Sequence, residues 1–105
     1  MEVPIVCTLT EAELRERRRT ILDSIREMTL DIVSLPEGYS YRFPSRAEVL
    51  SKLTTLVELE RHCCSFLTFK IIVEAGARPI RLEVTGPPAT KPVIADLFGR
   101  SRNAF

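Results

Sequence analysis

The sequence has no apolar run that approaches the ~20 residues needed to cross a bilayer. Its first residues include Glu2 and Pro4 and carry neither a basic segment nor an apolar stretch, so no secretory leader is expected. It has no glycine-rich phosphate loop, no paired-cysteine zinc spacing and no Ser-His-Asp set. It also lacks an excess of either charge. Fifteen basic residues against 14 acidic ones leave a net charge of +1, which gives no pull toward nucleic acid or an acidic membrane surface. Neither is expected as a partner. No internal repeat, linker or low-complexity tract interrupts the chain.

What remains is one ordinary domain. A chain of 105 residues is long enough to bury a single hydrophobic core and too short for two. Residues 1–99 are expected to form that domain, with 100–105 a loose tail. Three cysteines are an odd number in a chain too large to need stapling, so reduced thiols and a cytoplasmic location are expected.

The apolar pattern reads as α+β. Residues 3–9 alternate and predict a strand. Thr10-Glu11-Ala12-Glu13 has the form of a capping box. A helix follows, with Leu14, Ile21, Leu22, Ile25 and Met28 on one stripe. The dense basic run Arg15, Arg17, Arg18 and Arg19 is interleaved with Glu13 and Glu16, as expected of a solvated helix face. Residues 30–33 and 39–43 predict a hairpin closed by Leu35-Pro36-Glu37-Gly38, because Pro presets a turn and Gly accepts unusual backbone angles. Ser45-Arg46-Ala47-Glu48 has the form of a second capping box, opening a helix that runs to about Cys64. Strands are predicted over 67–73 and 80–84, and a short helix over 91–98 ends at Gly99. The first six elements match a ferredoxin-like split βαβ plan, here extended by a fifth strand and a C-terminal helix. Crossover rules then favour an antiparallel sheet in which the 3–9 strand lies between the 39–43 and 67–73 strands, with two long helices on one face.

The chemistry concentrates at the end of the second helix. Its stripe runs through Val49, Leu50, Leu53, Leu56 and Val57. Continued at helical spacing, it reaches Glu60 and then Cys63 and Cys64. A carboxylate is therefore predicted where an apolar side chain belongs, and a buried carboxylate needs a partner or a proton. Arg61 and the lone His62 point away from the stripe. In the expected topology Cys7 reaches the same end of the sheet, so Cys7, Glu60, Cys63 and Cys64 form a candidate metal site.

Thiolates favour soft cations. Adjacent residues within a helix diverge by about 100°, so the pair becomes usable only where the helix ends. The negative end of the helix disfavours a free thiolate and favours a bound cation. No base, oxyanion donors or cofactor motif accompanies the thiols, so no catalytic residue is assigned. Two readings stay open. One is a domain binding a thiophilic metal or metalloid. The other is a non-catalytic interaction module, a homodimer paired through exposed sheet edges, in which the cysteines only pack.

The segment Leu59-Glu60-Arg61-His62-Cys63-Cys64-Ser65-Phe66-Leu67-Thr68-Phe69 resembles the motif L-E-R-x-C-C-P-F-L-x-F of a family of small uncharacterised bacterial proteins. Cys7-Thr8-Leu9 and Gly86-Pro87-Pro88 fit the same family. The resemblance implies an association with heavy-metal resistance and points to Cys7, Glu60, Arg61, Cys63 and Cys64. Ser65 stands where the family pattern has Pro.

Overall fold

The structure is a computed structural model, and it describes residues 12–99. The elements run α1 (Ala12–Met28), β1 (Asp31–Leu35), β2 (Gly38–Phe43), α2 (Ala47–Cys63), β3 (Thr68–Ile72), β4 (Ile80–Thr85) and α3 (Lys91–Phe98). The strands form one antiparallel sheet in the order β1-β2-β4-β3. The α+β class is as expected. The predicted 3–9 strand, the first capping box, Cys7 and the 100–105 tail lie outside the described residues.

Alternation in the strands makes one sheet face apolar. Ile32, Tyr41, Phe43, Ile80, Leu82 and Val84 are all buried on it. They share a single core with Leu22 and Ile25 of α1, Val49, Leu53 and Leu56 of α2, and Ile94 and Phe98 of α3. All three helices therefore cover the same face. The opposite face carries the intervening polar residues, among them the Asp31–Arg42 ion pair across β1 and β2.

The expected sheet order is corrected by the pairing. β2 meets β4 directly, from Gly38↔Thr85 to Phe43↔Ile80, so no strand lies between them. Burial explains the choice. In β4, Ile80, Leu82 and Val84 are sealed in the core, whereas β3 buries no residue fully and takes the edge. Gly38 makes the seam possible, because a Cβ there would fall 1.9 Å from the Val84 carbonyl oxygen.

The second capping box is also corrected. The N-cap of α2 is Arg46, in extended geometry and without a side-chain cap bond. The helix starts one residue later than the box requires, which leaves the Ser45 hydroxyl outside capping register.

Contacts between α1 and α2 set their relation. Lys52 Nζ donates to Ser24 Oγ at 2.8 Å, and Arg18 reaches Glu60. Position rises along one helix as it falls along the other, so the two are antiparallel and the start of α1 stands beside the end of α2.

Candidate metal centre

The buried stripe of α2 consists of Val49, Leu53, Leu56, Glu60 and Cys63. Glu60 has no exposed surface and occupies a core position, as its spacing predicts. Its partner is Arg18. The Arg18 Nε donates to Glu60 Oε2 and its Nη2 donates to Oε1 at 2.9 Å. This is a bidentate, charge-assisted pair across the α1–α2 interface. Arg18 is itself mostly buried, its side chain 15% exposed. Desolvation pulls its pKa down. The hydrogen bond and charge of Glu60, with a further contribution from Cys63, outweigh that pull and hold it above the ordinary arginine value.

Arg18 corrects the reading of the basic run as wholly solvated. Arg15, Arg17 and Arg19 are exposed, but Arg18 is not. The signal was present in the spacing: Arg18 stands four residues before Leu22 and seven before Ile25, on the apolar stripe of α1. It was hidden by its basic neighbours. Arg61 and His62 point outward, as expected, and both engage Glu58. Their hydrogen bonds, that of Arg61 first, pull the exposed Glu58 carboxyl down to about 2.

α2 ends at Cys63, with Ser65 and no proline directly after the cysteine pair. Cys64 is the C-cap, at φ −119° and ψ 66°. Its N–H donates to the Glu60 carbonyl at 2.6 Å, and the Leu67 N–H donates to the Cys64 carbonyl at 3.0 Å. Leaving helical geometry at this residue brings the two sulfurs to one side. They lie 3.9 Å apart, too far for a bond between them and close enough to share an ion. Both residues are buried. A Glu60 oxygen and the two sulfurs lie within 4.8 Å of one another. Arg18 Nη2 lies 3.7 Å from Cys64 Sγ, so a guanidinium faces the sulfur pair. Cys63 is a free thiol, while Cys64 is disulfide-bonded in this structure, which corrects the expectation that the thiols are all reduced.

The structure thus brings together three of the four expected ligands. No helix among the described residues is long and apolar enough to cross a membrane. No family model, curated protein or solved structure matches the chain.

Proposed function

We propose that this chain binds a soft, thiophilic metal or metalloid ion through Cys63 and Cys64 when both are reduced. The convergence of the two sulfurs and Glu60 within 4.8 Å carries the reading. Metal–sulfur bonds of about 2.3 Å spanning the 3.9 Å between the sulfurs enclose an angle of about 116°. That angle suits a bent, three- or four-coordinate ion and leaves a position for a third donor. Cys7 is the candidate for it.

Glu60 serves mainly as the support of Arg18, since both of its oxygens accept from the guanidinium. Arg18 in turn places a positive charge beside the sulfurs and offsets the negative end of α2. The chain's resemblance to a bacterial family associated with heavy-metal resistance points the same way. A reducing cytoplasm would supply the dithiol state.

The test is native mass spectrometry of the reduced protein titrated with Hg²⁺, As(III), Zn²⁺ and Cu(I). The parent is expected to take up at least one of these ions, and Cys63→Ser/Cys64→Ser to lose that uptake while keeping its helical circular dichroism. Equal binding by parent and variant would remove the proposal.

A second reading, a homodimerising module with structural cysteines, draws on one observation: Cys63 and Cys64 are packed within the hydrophobic core. A thiol variant that loses stability but not ion binding, in a chain that light scattering shows to be a dimer, would favour it.

A further inference from the structure

Cys64 holds a disulfide, and Cys63, the residue before it, does not. The two sulfurs are 3.9 Å apart, close to contact and with no bond between them. A thiol this near a disulfide sulfur is placed for exchange, in which a thiolate attacks one sulfur and displaces the other.

Burial decides which thiol can attack Cys64. The residue has no exposed surface, and Cys63 is 2% exposed. An outside thiol meets packed side chains before it meets the Cys64 sulfur, whereas Cys63 is already there. The helix end brings this about. Cys64 leaves helical geometry at φ −119° and ψ 66°, so its side chain does not diverge from that of Cys63 as adjacent helical residues do. Attack within the chain then replaces an encounter between two molecules.

The surroundings suit a negatively charged attacking group. During exchange one negative charge is shared along a line of three sulfurs. Arg18 Nη2 lies 3.7 Å from Cys64 Sγ, so a guanidinium meets that charge inside the low-dielectric core. Glu60 opposes part of its field, but both carboxylate oxygens accept from Arg18 and hold the guanidinium in place.

We propose that Cys63 is the internal nucleophile of a thiol–disulfide exchange centre, with Cys64 as the central sulfur and Cys7, the third cysteine of the sequence, as the leaving partner. The Cys63 thiolate attacks Cys64 Sγ. The Cys63–Cys64 bond forms as the Cys64–Cys7 bond breaks, and Cys7 leaves as a thiolate that takes up the proton Cys63 has lost. One disulfide and one thiol stand on each side of the reaction, so no outside oxidant or reductant enters it. The product joins adjacent residues. Their Cα atoms are about 3.8 Å apart, short of the roughly 4.4–6.8 Å that disulfides prefer. The equilibrium therefore favours the Cys64–Cys7 form, and alkylation of Cys7 draws the exchange forward. The reaction needs no ion and stands apart from the soft-ion reading.

The experiment uses the full chain oxidised with a small disulfide. Digestion at low pH without reduction is expected to find Cys7 joined to Cys64 and Cys63 free; any other pairing, or none, overturns the proposal. The oxidised chain is then incubated with iodoacetamide, and fragment masses show which cysteine carries the label. Exchange predicts label on Cys7, in chains that hold a Cys63–Cys64 bond. It should accumulate about tenfold faster in the folded chain than in urea, a small share of what a held geometry can supply. Cys63→Ser, which keeps the Cys64 disulfide, should leave Cys7 unlabelled. Label confined to Cys63, or label on Cys7 that appears as fast in urea or in Cys63→Ser, would overturn the exchange. Ion uptake by the reduced protein is a separate measurement and stands or falls without it.

Discussion

Glu60 has no exposed surface, and among the described residues its charge is met by Arg18. Breaking such a pair costs more than making it contributes, because the surviving charge is left buried. Glu60→Gln removes the negative member of this buried bidentate pair and is expected to destabilise the fold by about 3–5 kcal/mol, read from urea unfolding. Replacing both partners with apolar residues of similar size, Arg18→Met/Glu60→Leu, is expected to recover most of that loss. A Glu60→Gln variant as stable as the parent would show that the pair does not hold α1 to α2. Glu60 was legible in the sequence because a charge on an apolar stripe stands out against Val49, Leu53 and Leu56. Arg18 was not, because a charge among charges does not. Its position before Leu22 and Ile25 carried the information, but only a partner on another helix gives that position meaning.

At the scale of elements, the hairpin β1–β2 follows from local chemistry. Pro36 and Glu37 close a turn whose register runs from Leu35↔Gly38 to Asp31↔Arg42. α3 likewise spans the residues its pattern indicates and stops at Gly99, whose φ of +116° suits glycine. The seam between β2 and β4 was not legible, since either strand of a hairpin can dock and the choice depends on what the whole core seals. Gly38 now marks that seam. Gly38→Ala would place a methyl group against the Val84 carbonyl and is expected to cost about 1–3 kcal/mol, the usual range for overpacking. Amide exchange should quicken across β2 and β4 while α1 is much less affected. Uniform exchange rates in the variant would mean that the strands separate slightly without loss.

At the scale of the molecule, ion binding and folding are linked. A ligand that binds only the folded chain stabilises it by RT ln(1 + [L]/Kd). For the reduced protein, a soft ion at 100 times its dissociation constant should therefore add about 2.7 kcal/mol, seen as a raised thermal midpoint. Cys63→Ser/Cys64→Ser should show no such rise. A midpoint indifferent to the ion in the parent would mean that the ion binds the unfolded chain equally well.

The β2–β4 seam also divides the chain. α1, β1 and β2 come before it, and α2, β3, β4 and α3 after it. Glu60, Cys63 and Cys64 belong to the second half, and the cation that faces them, Arg18, belongs to the first. Neither half holds the site alone. The arrangement around the sulfurs exists only once the two halves have met, so the chemistry of the centre reports on assembly of the whole chain, and no half-folded intermediate can reproduce it.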